Sequence, residues 1–281
     1  MTASHAQPAS LKEVGGTIVL IGAGKMGSAM LDGWIGLGLD PARVAAIEPQ
    51  PAPEISALAT RGLRLNPDAA AVPDPAVIVI AVKPQVATEV VPAAAPFVGR
   101  STVVVSIMAG QRLASLERAL PAGSAIVRSM PNTPAAIGRG ITVAVANARV
   151  SPQQRDLAHR LLAAIGAVEW VDDEGLLDPV TAVSGSGPAY VFLLAEALAQ
   201  AGAAAGLPAD LAERLARATV AGSGELLHRV PLDAAILRRN VTSRGGTTEA
   251  ALAVLMGEGG LAPLMERAVA AATRRSRELA G

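Results

Sequence analysis

The chain has 281 residues, more than a single hydrophobic core usually organises, so two domains are expected. Hydrophobic residues make up 51% and charged residues 17%, at a formal net charge of zero and with only 2% aromatics. The core must therefore be filled by Ala, Val, Leu and Ile, and no nucleic-acid partner is expected; the absence of cysteine excludes disulfides, thiolate catalysis and cysteine metal sites.

Residues 1–16 are polar, carry no apolar segment of signal-peptide type, and read as a flexible N-terminal tail on a cytoplasmic protein. Thr17-Ile18-Val19-Leu20-Ile21 is short and β-branched enough to be a buried parallel strand. It runs into Ile21-Gly22-Ala23-Gly24-Lys25-Met26-Gly27, after which Met30, Leu31, Trp34, Ile35 and Leu37 recur at helical spacing. The glycines fall where strand turns into helix: Gly22 suits the tight turn, Gly24 the close approach of a ligand, Gly27 helix–strand packing. The N–H groups opening such a helix are a natural seat for a pyrophosphate. Glycine turns also serve plain strand–helix corners. The strand before, the helix after and an acid downstream together favour a dinucleotide.

Val44-Ala45-Ala46-Ile47 reads as the second strand and ends at Glu48, about twenty residues past the last fingerprint glycine, where a carboxylate can take the adenosine ribose hydroxyls. A solvated strand end is the plainer account. A carboxylate there repels a 2′-phosphate and so favours NADH over NADPH. Pro49, Pro51 and Pro53 precede a helix over 54–61. Val77-Ile78-Val79-Ile80-Ala81-Val82 is the clearest strand, with Lys83-Pro84-Gln85 at the end where ligands of open parallel sheets sit. Lys83 is either a surface loop cation or a cofactor contact.

Strands over 103–106 and 125–127 each end in a turn, Ile107-Met108-Ala109-Gly110 and Arg128-Ser129-Met130-Pro131-Asn132-Thr133-Pro134. The prolines flanking Asn132-Thr133 make a stiff loop that holds polar groups still. A strand over 141–146 follows. Ser151-Pro152 then opens a helix to about residue 165, and Glu169-Trp170-Val171 closes an α/β half spanning 17–174.

From 175 to 281 the strands stop. Helices are expected over 188–204, 210–227, 233–239, 247–256 and 261–279, many lined with Ala, Leu and Val on more than one side. Such helices are buried in a bundle, and one chain offers too few partners, so a helical dimer interface is expected. No uncharged apolar run reaches the ~20 residues of a membrane helix, and no membrane partner is expected.

His5, His159 and His228 stand near no nucleophile and at no metal-ligand spacing, so no metal site is expected and the hard chemistry falls to a cofactor. Tyr190 reads as a packing residue. Val183-Ser184-Gly185-Ser186-Gly187-Pro188 suits a close helix crossing or room for a ligand ring. Asn240-Val241-Thr242-Ser243-Arg244-Gly245-Gly246-Thr247-Thr248 brings N–H donors and two hydroxyls to a helix N-terminus, which serves a carboxylate or simply caps the helix.

Taken in order, the Gly22–Gly27 fingerprint, Ala81-Val82-Lys83-Pro84-Gln85, Ser106-Ile107-Met108-Ala109-Gly110, Arg128-Ser129-Met130-Pro131-Asn132-Thr133-Pro134-Ala135, Ser184-Gly185-Ser186-Gly187-Pro188-Ala189-Tyr190 and Val241-Thr242-Ser243 with Gly245-Gly246-Thr247-Thr248 resemble the pyrroline-5-carboxylate reductase family from about residue 17 to 279. The resemblance implies an α/β fold class: a Rossmann-type N-terminal dinucleotide-binding domain and a C-terminal all-helical dimerisation domain. It implies a homodimer, which in this family is often assembled further into a decamer, and leaves dimer and decamer both open.

The cofactor implied is NADH or NADPH, held by Ile21, Gly22, Ala23, Gly24, Lys25, Met26, Gly27, Glu48, Ala81, Val82, Lys83, Pro84, Ala109 and Asn240. The carboxylate of L-1-pyrroline-5-carboxylate would rest on Ser243, Gly245, Gly246, Thr247 and Thr248, with the Thr248 hydroxyl as the catalytic group beside the ring nitrogen. The reaction implied is the last step of proline biosynthesis. Two residues depart from the pattern: Arg244 stands where the family usually has Pro, and Glu48 where NADPH users carry a small polar residue. The rival readings are a related imine reductase or dehydrogenase, and a catalytically silent NAD-binding regulatory protein. Hydroxyacid dehydrogenases of that clan depend on a lysine in the helical domain, and this helical half has none.

Overall fold

A computed structural model describes residues 9–279; His5 and the first half of the expected tail lie outside them. The described chain forms two compact units, one of residues 9–185 with 272–279, the other of 186–271.

The first unit runs β1 (Ile18–Ile21), α1 (Lys25–Gly36), β2 (Val44–Ile47), α2 (Pro53–Ala57), β3 (Arg64–Leu65), β4 (Val77–Ile80), α3 (Ala87–Ala94), β5 (Val103–Ser106), α4 (Leu113–Ala119), β6 (Ala125–Met130), β7 (Gly140–Ala146), α5 (Pro152–Ala163), β8 (Gly166–Trp170) and α6 (Leu177–Val180). Among the described residues the eight strands make one sheet in the order β3-β2-β1-β4-β5-β6-β7-β8. β1 to β6 are parallel; β7 joins β6 antiparallel, and β8 follows β7. Strand order reverses beside β1, with β2 on one side and β4 on the other. The carboxyl ends of β1 and β4 therefore form a topological switch point, where open α/β sheets bind ligands.

β1, β4 and β5 are buried at every position, as their largely β-branched runs lead one to expect of parallel strands covered on both faces. Leu20, Met30, Trp34, Val79 and Leu161 pack on one face; Val19, Ile78, Ile80, Val91 and Ile126 pack on the other. Trp34 is fully buried, and its Nε1 donates to the Leu161 carbonyl at 2.9 Å. Trp170 is half-buried: its Nε1 donates to His159 Nδ1 at 3.2 Å, and the Arg155 guanidinium lies 4.2 Å above its ring. α5 starts where Ser151-Pro152 predicts, as a capping box: Ser151 Oγ accepts from Gln154 N at 3.2 Å, and Gln154 Oε1 from Ser151 N at 2.9 Å.

Several expectations are corrected. Residues 9–16 are not a loose tail: Leu11 and Val14 are buried in the main core, and Leu11 N–H donates to the Leu37 carbonyl at 2.9 Å. The strand expected to reach Val82 ends at Ile80. The helix over 54–61 is α-helical only to Ala57, continues as a 3-10 turn, and stops at Gly62, whose φ is 96°. The first unit extends to residue 185 because α6 and the π-helical turn Thr181–Gly185 belong to it, with Leu177 buried against Val143 and Val145.

The second unit holds α7 (Gly187–Ala204), α8 (Ala209–Arg229), α9 (Ala234–Asn240), α10 (Thr247–Leu255) and most of α11 (Leu261–Leu279). α7 and α8 pack side by side, where Gly202 lets the Ala212 methyl approach. No residue of α7 is buried; Phe192, Leu193 and Leu194 are 63%, 62% and 52% exposed. The helical stretch Glu174–Ala204 is, by length and composition alone, long and apolar enough to cross a membrane.

Candidate dinucleotide site and carboxylate turn

β1 delivers the chain to Gly22, whose φ of 91° lies in the left-handed region and whose N–H donates to the Ile47 carbonyl at 2.9 Å. A Cβ at Gly22 would meet the Ala81 carbonyl oxygen at 2.8 Å, and one at Gly27 would strike the Gly22 carbonyl. Gly24 differs. It is the N-cap of α1, it is exposed, and a Cβ there would have nothing within 4 Å. No side chain caps α1 and no acid stands in its first turn, so its leading N–H groups are free for an anion. This cradle fits a pyrophosphate.

Glu48, just past β2, turns its carboxylate onto the same loop. Its Oε2 accepts from Ala23 N at 2.9 Å and its Oε1 from Gln50 N at 3.1 Å. Each oxygen keeps lone-pair capacity for a further donor such as a ribose hydroxyl. Ala81 follows β4 and donates its N–H to the Ile21 carbonyl at 2.7 Å; Ala81, Val82 and Pro84 are half-buried and Lys83 is exposed. Ala109 lies in the turn after β5, before Gly110 with its φ of 72°. The fold thus brings Ile21 to Gly27, Glu48, Ala81 to Pro84 and Ala109 to the carboxyl ends of β1, β2, β4 and β5. Asn240 ends α9 in the other unit.

The carboxylate turn is also in that other unit. Gly245, at φ 71°, and Gly246 lead into α10, which has no side-chain cap. Two expected donors are already engaged: Gly245 N donates to Glu249 Oε2 at 2.6 Å, and Gly246 N to the Ser243 carbonyl at 3.0 Å. The expectation that Gly245 and Gly246 offer N–H groups is corrected, because Glu249 reaches back over the turn to the first and the Ser243 carbonyl takes the second. The amides of Thr247 and Thr248 open the helix and have no intrahelical acceptor. Ser243 Oγ packs where a Cβ on Gly246 would lie, which ties both residues to this backbone shape.

The sequence reading missed a half-buried ion pair. Arg128, 4% exposed within β6, places NH1 2.7 Å from Glu174 Oε1, which also accepts from Leu113 N at 2.8 Å. Two oppositely charged residues 46 apart give no signal in one sequence. Asn132, in the stiff proline-flanked loop, uses its Oδ1 to accept from Ile141 N at 3.0 Å and so steers the chain into β7.

The family profile described as pyrroline-5-carboxylate reductase dimerisation matches residues 174–279, and that described as NADP oxidoreductase coenzyme F420-dependent matches 17–110. The pyrroline-5-carboxylate reductase of Pseudomonas aeruginosa is 42% identical over 266 residues, covering 94% of this chain and 96% of the relative. A solved pyrroline-5-carboxylate reductase from Coxiella burnetii superposes with a TM-score of 0.87 at 34% identity, over 95% of this chain and 99% of that one. The Plasmodium falciparum pyrroline carboxylate reductase, solved with NADP bound, superposes with a TM-score of 0.79 at 27% identity, over 95% and 98%. Full-length coverage in sequence and in fold leads to one assignment: the chain belongs to the pyrroline-5-carboxylate reductase family.

Proposed function

We propose that this chain reduces L-1-pyrroline-5-carboxylate to L-proline with NADH or NADPH, the first unit holding the dinucleotide and the α10 turn the substrate carboxylate. The observation that carries it is the uncapped start of α1 at Gly24, set at the switch point beside the Glu48 carboxylate. A dihydronicotinamide held by the first unit would supply the hydride, from its C4 to C5 of the imine. The protein needs only to align the two, because a protonated cyclic imine is already electrophilic; such alignment is worth ~7–11 kcal/mol of barrier.

Each group has a task. The first-turn amides of α1 hold the pyrophosphate, and Glu48 takes ribose hydroxyls, which makes NADH the preferred cofactor. The Thr247 and Thr248 amides take the substrate carboxylate, and the Thr248 hydroxyl bonds the ring nitrogen. Exposed Arg244 adds a cation at the same helix start. The protein is a homo-oligomer with a small-molecule substrate. Its apolar α7 face builds the dimer, from which a decamer assembles in the cytoplasm. The test is oxidation of NADH by the purified protein on addition of pyrroline-5-carboxylate, with proline as product; binding of NADH without turnover would overturn the proposal.

A further inference from the structure

We infer that Asn66 is a positioning residue for cofactor choice, gripping Glu48 so that its carboxylate stays where it discriminates NADH from NADPH. The inference rests on the reading of Glu48 proposed above.

β3 is only two residues long and pairs Arg64 with Ala45 and Leu65 with Ala46. Asn66 N–H still donates to the Ala46 carbonyl, at 2.8 Å, and then the backbone turns to a φ of 49°. Asn adopts this left-handed conformation more readily than most residues. From there its side chain continues the ladder that its backbone has left. Asn66 Oδ1 accepts from Glu48 N at 2.8 Å, and Nδ2 donates to the Glu48 carbonyl at 3.0 Å. A carboxamide is the side-chain copy of a peptide group, so it satisfies both backbone groups of Glu48 as another strand would. Asp lacks the donor and Ser has one oxygen for two partners.

With its main chain held on both sides, Glu48 reaches the glycine loop at Ala23 N, 2.9 Å away, and Gln50 N, 3.1 Å away. Contacts therefore run unbroken from Asn66 through Glu48 to the dinucleotide loop. Without the clamp the Glu48 backbone is tied only through its flanking residues, and its carboxylate samples positions off the ribose. NADH should suffer from that. NADPH, which the carboxylate repels, should not.

The test is Asn66→Gly in the full-length protein, because glycine accepts the left-handed conformation without a side chain. The readings are kcat/KM for NADH and for NADPH, KM for pyrroline-5-carboxylate, and Tm. The expected result is a fall of about three- to tenfold in kcat/KM for NADH, the scale of one or two net hydrogen bonds, with NADPH and the imine KM little changed. In a Glu48→Ser background the same substitution should leave the cofactor ratio unmoved, since its route is gone. Equal losses with both cofactors, or a ratio shift that persists without Glu48, overturn the inference. Glu48→Ser shifting the ratio while Asn66→Gly does not removes Asn66 alone; Glu48→Ser without a shift removes the reading of Glu48 and Asn66 with it. Should Asn66→Gly fail to fold, Asn66→Asp keeps the acceptor and loses the donor, and its ratio must fall between those of the unmodified protein and Glu48→Ser; a ratio equal to the unmodified protein's overturns the inference.

Discussion

Ser276 donates its hydroxyl to Oδ1 of Asp178 at 2.7 Å, joining two buried residues 98 apart in the chain. The bond fastens the end of α11 onto the α/β unit, with Arg277 Nε at 4.0 Å from the other carboxylate oxygen as the next charge. Ser276→Ala leaves a buried carboxylate short of a donor, which costs about 1.5–3 kcal/mol. Urea unfolding should show a lower midpoint at an unchanged slope. An unchanged midpoint would mean that water replaces the hydroxyl without loss.

Two glycines of the fingerprint should fail in different ways. Gly27→Ala puts a methyl into the Gly22 carbonyl, so it should lower stability and cofactor binding together. Gly24→Ala meets no protein atom, so Tm should hold while the affinity for NADH falls, by roughly tenfold for a loss of about 1.4 kcal/mol. A Gly24→Ala protein that binds NADH normally would move the pyrophosphate away from α1.

Glu48→Ser removes the charge that opposes a 2′-phosphate. Two charges 4 Å apart interact by about 1 kcal/mol even in bulk water, so the NADPH-to-NADH ratio of kcat/KM should rise at least about fivefold. Loss of the Ala23 contact adds to it on the NADH side. An unmodified protein that already prefers NADPH would contradict the assignment before any substitution is made.

Thr248 opens α10 beside free amides. Thr248→Ala should cut kcat/KM for the imine about ten- to hundredfold, the worth of a hydrogen bond to a charged group, and Thr248→Ser should lose much less. If the residue only supports the helix start, alanine lowers Tm and leaves the kinetics alone. The same two proteins, measured both ways, decide between these.

The exposed apolar row of α7 should be an interface. Full burial of a Phe side chain is worth about 1.5–3 kcal/mol, counted once per subunit in a symmetric contact. Phe192→Glu should therefore shift the oligomer toward monomer in sedimentation or light scattering. An unchanged mass would put the contact elsewhere.

Much of this was legible because the relevant signals are local. The largely β-branched runs of β1, β4 and β5 announce buried parallel strands, and Ser151-Pro152 announces a helix start within one residue. The shape of the glycine turn was legible too, since Gly22 and Gly27 each answer a steric demand of the backbone at fixed spacing while Gly24 between them leaves open space. What escaped was set by distant partners. Leu11 and Val14 are single apolar residues in a polar stretch, with nothing local to say that α1 covers them. The reversal of β7 depends on turn geometry held by Asn132, and the occupied amide of Gly245 on a Glu249 carboxylate four residues on. Nothing in the sequence marks Asn66, whose two bonds to Glu48 join residues 18 apart.

Trp34 and Trp170 are the two tryptophans of the chain, and both sit in the α/β unit. Indole emission therefore reports on that unit alone, with Trp34 emitting from a dry core and Trp170 from beneath a guanidinium. Circular dichroism in the far ultraviolet will be weighted instead toward α7, α8 and α11, the longest helices. The two spectroscopies followed through one melt thus watch different halves of the molecule. Noncoincident curves would show that the halves come apart separately, and reduced nicotinamide, which absorbs where indole emits, should quench only the first.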